Sequence, residues 1–386
     1  MALECQRHLF SLPTDEHYLN CAYMGPLLKS VEAAGIAGVR RKVVPRLITP
    51  RDFFTECEQL RQRFGSLVNA SAGRVALVPA VSYGVAIASH NLALRRGQNV
   101  VLPGEEFPSN VYAWMEHCAR AGAELRLVPR PKDVQNAGAA WNARLLESID
   151  ADTAVVTLTA VHWTDGTRFE LEAIGRRARE VGALYIVDGT QSIGALPFDW
   201  ARAQPDLLVC AGYKWLLGPY QLGFAVLSER LLNATPFEHN WINRENSEDF
   251  AALVDYRSGY QAGARRFDVG EHSNPVTVPM LLESLRQILA WGVDAIQGYC
   301  ASLGRVLEEA LGEQGGFALN PPSERGAHLF GVRVPHPELI PAILEQLAAR
   351  KVFVSQRGTS VRVSPHVYNT PEDMLALAEA LKAAVR

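Results

Sequence analysis

The chain has 386 residues, 48% of them apolar, and a formal net charge of −3 with no long run of one sign. That balance removes the electrostatic basis for expecting nucleic acid or an anionic membrane as a partner. The longest apolar runs fall far short of a bilayer span. The opening "MALECQRHLFSLPTDEHYL" contains acids and lacks the apolar centre of a secretory signal, so the expected compartment is the cytoplasm.

Six cysteines (Cys5, Cys21, Cys57, Cys118, Cys210 and Cys300) are scattered without a CxxC pair or a metal-ligand spacing. Reduced thiols are expected, with neither a zinc site nor a disulfide framework. Residues 1–70 read as a mostly helical segment that wraps the large domain or a partner copy.

From residue 74 short β-rich runs alternate with helix-like stretches: "RVALVPA" (74–80), "NVVLP" (99–103), "ELRLVPR" (124–130), "TAVVTLTAV" (153–161), "LYIVDGT" (184–190), "LLVCAGY" (207–213) and "GFAVLSE" (223–229). Continuous apolar runs separated by helices predict strands buried on both faces of a mainly parallel sheet. In "FELEAIGRRAREVG" the residues Leu171, Ile174, Ala178 and Val181 form one stripe, acids open it and Gly182 closes it, which predicts a crossover helix. Only "WLLGPYQL" joins the last two runs, too little for a crossover, so the final strand is expected to pair antiparallel.

The texture changes after about residue 275. "VTVPMLLESLRQILAWGVDAIQGYCASLGRVLEEALGE" reads as two helices; "LFGVRVPH", a helix at "PELIPAILEQLAAR", "VFVSQRG" and "SVRVSPHVYN" come after them. Thr370-Pro371-Glu372-Asp373 predicts the capped start of a last helix. The expected organisation is a large α/β domain over 71–260 and a smaller α+β domain over 275–386, with a soft boundary near 245–280.

In such sheets ligands gather outside the carboxyl ends of the strands. There Asp188 ends the apolar run Leu184–Val187, Gln191 comes shortly after it, and Lys214 lies just past the next run. A buried ammonium is costly unless it is paired or neutralised. A lysine and an acid on neighbouring strand ends suit an ion pair. They also suit pyridoxal phosphate, whose aldehyde a lysine holds as a Schiff base while an acid keeps its ring nitrogen protonated.

"LYIVDGTQSIGALPFD" followed by "DLLVCAGYKWLLGPYQLGFAVL" resembles the class V aminotransferase family of pyridoxal phosphate enzymes, which includes cysteine desulfurases, kynureninases and epimerase-like or carbon–sulfur lyase relatives. The resemblance implies fold type I, with a mainly parallel seven-stranded sheet, helices on both faces and a small carboxy-terminal domain. It implies pyridoxal 5'-phosphate as cofactor, no metal, and Lys214 and Asp188 as the catalytic pair. It assigns Val81 and Ser82 of "PAVSYG" and Tyr213 to the phosphate, where the family more often has further hydroxyls. Phe107 of "GEEFPSN" takes the ring-stacking place and Gln191 the ring oxygen. Arg362 of "SVRVSPH" is matched to the substrate carboxylate, with Arg357 a weaker second candidate, and Asn20 of "YLNCAYMG" comes near the substrate. At "AVHWTDG" either His162 or Trp163 faces the cofactor. "RRFDVGEHSN" resembles a stretch that reaches a neighbouring subunit's phosphate, through Glu271 or Ser273, and so implies a homodimer with a shared site.

All members share proton removal from the substrate Cα and differ in the later steps. Desulfurases of the family carry a nucleophilic cysteine shortly before the carboxy-terminal arginine. Here that region reads "ARKVFVSQRGTSVRV", and no cysteine occurs after Cys300. With Phe107 in the stacking place, the resemblance is nearest to the epimerase-like and carbon–sulfur lyase branch. The expected activity is β-elimination or transamination of an α-amino acid. Desulfurase-like or epimerase activity, or a catalytically silent binding protein on the same fold, are the alternatives.

Overall fold

The computed structural model describes residues 3–132, 136–312 and 316–385; Glu313, at the end of the two-helix stretch, lies outside them. Its centre is a sheet of seven strands: β1 (Val75–Val78), β2 (Asn99–Pro103), β3 (Glu124–Val128), β4 (Thr153–Thr159), β5 (Leu184–Asp188), β6 (Leu207–Ala211) and β7 (Gly223–Leu227). Their order across the sheet is β1-β7-β6-β5-β4-β2-β3. The pairings among β2 to β6 are parallel, and only β7 runs the other way, antiparallel to β6 and β1. The short link before β7 thus forms the expected antiparallel pair, and the sheet is the mainly parallel seven-stranded one of fold type I.

Apolar residues on both sides of each central strand explain why both faces are covered. Along β5 the pleat sends Tyr185 and Val187 into one core with Phe64, Ile174 and Leu281. It sends Leu184 and Ile186 into a second core with Val85, Ile87 and Trp114. Burying each such side chain contributes roughly 1.5–3 kcal/mol. β3 departs from the expected double burial: it lies at one edge of the sheet, and Leu127 there is 49% exposed. Its alternating Glu124 and Arg126 keep that edge wet, which guards against pairing with another chain.

The crossover helix occupies Leu171–Glu180, with Ile174 and Ala178 buried. The helices Lys29–Val43 and Thr55–Val68 pack on Thr277–Trp291, while the earlier His17–Tyr18 pairs with Val352–Phe353. The amino-terminal segment therefore touches both the large sheet's helices and the carboxy-terminal elements. Those elements comprise the antiparallel strands β8 (Phe330–Arg333), β9 (Ser355–Arg357) and β10 (Ser360–Val363), and the helix Pro371–Ala384 packed on Val293–Leu311. At the last helix start the Asp373 carboxylate accepts from the Thr370 amide at 3.0 Å. No helix among the described residues is long and apolar enough to cross a membrane.

Candidate active site

β5 and β6 are paired in register, Asp188 against Val209, so their carboxyl ends reach one edge of the sheet together. The chain leaves β6 in a tight loop. Gly212 donates to Leu222 at 2.9 Å, Leu217 adopts φ +50° and its amide returns to the Lys214 carbonyl at 3.0 Å. The amino-terminal segment lies against this loop, with the Gly25 amide on the Tyr213 carbonyl at 3.0 Å. A Cβ at Gly25 would stand 2.1 Å from the Lys214 carbonyl oxygen, so only glycine permits this approach. The loop thereby folds Lys214 inward: it is 7% exposed, and its Nζ lies 5.5 Å from the Phe107 ring centroid and 5.6 Å from that of Tyr213.

Asp188 is buried and forms no salt bridge with Lys214. It accepts instead from the Thr190 amide at 2.8 Å and from Asn110 Nδ2 at 3.0 Å. The simple ion pair is therefore not what brings these groups together. Burial lowers the Lys214 pKa to about 8, opposed by the Asp188 charge and assisted by Arg362 and Arg357. Neutral amine is thus available well below the usual lysine range. Uptake of pyridoxal 5'-phosphate by the apoprotein should accelerate as pH rises to about 8 and then level off. Stopped-flow absorbance across pH 6–11 (a span set around the usual lysine pKa of roughly 10.4) checks this, and a rate that climbs steadily past pH 10 would contradict the depressed value.

A cavity of about 380 Å³ is bordered by Lys214, Asp188, Val81, Ser82, Phe107, Gln191 and Tyr213, the residues assigned by resemblance to catalysis and cofactor. A larger open groove of about 1010 Å³ beside Asn142, Arg168 and Phe198 contains none of them. The helix Val81–His90 opens onto the smaller cavity from Ala80, which occupies the N-cap place; Ser82 is the second helical residue. The amides of Val81, Ser82 and Tyr83 have no protein acceptor among the described residues, as the first turn of a helix requires. Phe107 sits immediately before the helix Pro108–Ala121, its ring edge-on to Trp163 at 5.5 Å. The Gln191 amide is held by the Ala22 carbonyl at 3.2 Å and the Trp215 indole at 2.9 Å.

These groups fit pyridoxal phosphate. The free helix amides offer a positive end for a dianion, the buried carboxylate suits a protonated ring nitrogen, and the aromatic ring and primary amine complete the donor set.

Arg362 and Asn20 do not border this cavity, yet they form one chain of contacts beside it. Arg362 is 1% exposed and donates to the Trp163 carbonyl at 3.0 Å and to Ser355 Oγ at 3.2 Å. Ser355 Oγ in turn donates to Asn20 Oδ1 at 2.6 Å. Of the two residues singled out at "AVHWTDG", Trp163 borders the cavity. His162 is turned away against Trp141 and bound by Arg130 at 3.0 Å, and burial together with the Arg130 charge holds it neutral. Glu271 and Ser273 lie away from the cavity lining, Glu271 exposed at φ +61°.

Sequence reasoning missed Asn110, Thr190, Ser355 and Glu106. Asn110 is a buried polar residue one turn beyond Phe107; the only available signal was its place in "FPSN". Glu106 accepts from the amides of Phe107 at 2.6 Å and Thr159 at 2.9 Å, and so braces the stacking ring; burial pushes its carboxyl up to about 7. The cysteines are all free, and Cys21 is buried against the Lys214 carbonyl, its thiol pushed up to about 12 by burial.

The family model for class-V aminotransferases matches residues 49–377. A probable cysteine desulfurase of Methanothermobacter thermautotrophicus is 25% identical over 344 residues, covering 84% of this chain and 82% of the relative. Among solved structures, a mutant of C-DES with glycine covalently linked to its pyridoxal phosphate cofactor superposes with a TM-score of 0.87 at 21% identity, over 98% of this chain and 99% of that one. The cystine C–S lyase C-DES in complex with its product cysteine persulfide gives 0.85 at 21% identity, over 96% and 98%.

Proposed function

Because this chain belongs to the class-V aminotransferase family of pyridoxal phosphate enzymes, we propose that it is a lyase that removes the β-substituent of an α-amino acid, with Lys214 as its base. When bound, the cofactor supplies an aldehyde for the lysine and a ring that withdraws electrons from the substrate Cα. The amides of Val81 and Ser82, with Tyr213 beside them, would hold the phosphate. Asp188, fixed by Asn110 and Thr190, would keep a proton at the ring nitrogen, and Gln191 would serve the ring oxygen. Phe107, braced through Glu106, would supply the stacking ring.

Arg362 pairs with the substrate carboxylate, for which its planar fork is suited, and Asn20 orients it through Ser355. Nζ of Lys214 takes the Cα proton, a role that needs the neutral amine its burial favours. The electron pair left at Cα then forms a Cα–Cβ double bond as the Cβ–substituent bond breaks, its own pair leaving on the substituent.

The observation that carries β-elimination rather than sulfur transfer to the protein is the state of the thiols. No cysteine borders the cavity among the described residues, and Cys21 and Cys210, which lie near Lys214, are both buried with raised pKa values. A transfer thiol needs access and a low pKa. The name of the neighbouring cystine C–S lyase agrees with this reading.

The test is a screen of amino acids that reads pyruvate, sulfide and side-chain-retaining keto acids separately. Pyruvate formed in step with the released substituent is the expected result. Keto acids that retain the side chain would replace the proposal with transamination.

The reading includes a homodimer in the cytoplasm. The helix Lys29–Val43 leaves Ile36, Val39 and Val43 exposed at 47%, 54% and 74%, an apolar row at helical spacing that suits a second copy. In that assembly Glu271 and Ser273, which do not border their own cavity, are the residues available to the partner's site.

A further inference from the structure

The β9–β10 ladder carries two arginines, and its register fixes where they project. Ser355 lies directly opposite Arg362, and Arg357 is two residues beyond Ser355. With a side-chain period of two, Arg357 and Arg362 rise from the same face of the ladder. That face meets Trp163 beyond the end of β4. Arg362 donates to the Trp163 carbonyl, and the Arg357 guanidinium lies over the Trp163 ring, 5.5 Å from its centroid. Trp163 in turn borders the cavity that contains Lys214.

Both heads lack an anion. Neither meets a carboxylate among the described residues, and the Nε atoms of both are buried without a hydrogen-bond partner. Burial, assisted by the Arg357 charge, lowers the Arg362 pKa to about 9. Two unpaired guanidiniums on one half-dry face are costly for a fold and useful for an anionic ligand.

A single carboxylate does not explain both. Diagonal partners on an antiparallel ladder are rooted roughly 7–8 Å apart. Their heads also occupy different parts of Trp163, one its carbonyl and the other its ring. Resting on the proposal that Arg362 takes the α-carboxylate, we infer that Arg357 binds a second carboxylate at the end of the substrate's side chain. The substrate class is then an α-amino acid with a terminal side-chain carboxylate, and Arg357 is a specificity residue.

Two probes of matched length test this on the holoenzyme: S-carboxymethyl-L-cysteine, with a terminal carboxylate, and S-ethyl-L-cysteine, without one. The half-saturation of the change in cofactor absorbance is read for each. The wild type is expected to favour the charged probe by about tenfold to a hundredfold, the worth of a charge-assisted hydrogen-bonded pair. Arg357→Ala should collapse that preference to near unity, and Arg362→Ala should weaken both probes while keeping it.

Equal binding of the two probes by wild-type holoenzyme overturns the inference without any variant and leaves the proposed lyase activity intact. So does a preference that survives Arg357→Ala, or an Arg357→Ala that weakens both probes alike, since Arg357 would then share the α-carboxylate. A wild-type protein that takes up no pyridoxal phosphate overturns the proposed activity and this inference with it.

Discussion

Lys214→Ala is expected to abolish turnover of every amino acid and to remove the visible absorption that the wild type gains with pyridoxal 5'-phosphate. Loss of a positioned base alone lowers rates by about 10²–10⁴, and this variant also loses the covalent anchor, so the deficit should lie at or beyond the upper end. The fold should survive. Lys214 has no salt-bridge partner, and removing a buried ammonium relieves desolvation rather than breaking a pair. Thermal unfolding of the apoprotein should therefore show a variant no less stable than its parent by more than the packing of the side chain. Turnover within tenfold of wild type, or an unchanged absorption band (tenfold being about 1.4 kcal/mol of barrier), would remove Lys214 from the mechanism.

The second large effect is expected at Asp188, and its geometry dictates which substitution is informative. Asp188→Ala would strip the acceptor from the Thr190 amide and from Asn110 Nδ2, each a buried donor whose loss of a partner costs about 1–3 kcal/mol. Instability would then be confused with catalysis. Asp188→Asn keeps an oxygen for the Thr190 amide and removes the charge. Losing the proton that the carboxylate would keep at the ring nitrogen should lower kcat by about 10²–10⁴. Cofactor should still bind, because the lysine and the helix amides are untouched. Unchanged kcat in Asp188→Asn would show that no proton at the ring nitrogen depends on this carboxylate.

The sheet was legible because its central strands carry apolar residues on both faces, a pattern that double burial accommodates. The exception, β3, could not be recognised as an edge from "ELRLV", because edge or centre depends on which strands pair. Lys214 and Asp188 stood out for a related reason: a charge at or just past the end of an apolar run is chemically conspicuous. Phe107, Val81 and Ser82 became visible only through resemblance, since an aromatic residue and a helix start occur in every fold. His162 and Trp163 are adjacent in the chain, so nothing local could assign one to the cavity; Arg130, 32 residues away, holds the histidine on the far side.

The sequence by itself determined the alternation of strand and helix, the antiparallel return of the last strand, and the lysine and acid at neighbouring strand ends. These are consequences of local periodicity and of a link too short to cross the sheet. Tertiary structure alone decided that Lys214 and Asp188 stand apart without forming an ion pair. It also turned Asn110 onto the acid, and set Arg357 and Arg362 on one face beside Trp163. Each of those depends on the register between segments far apart in the chain, and register is fixed by packing that no single stretch of residues contains.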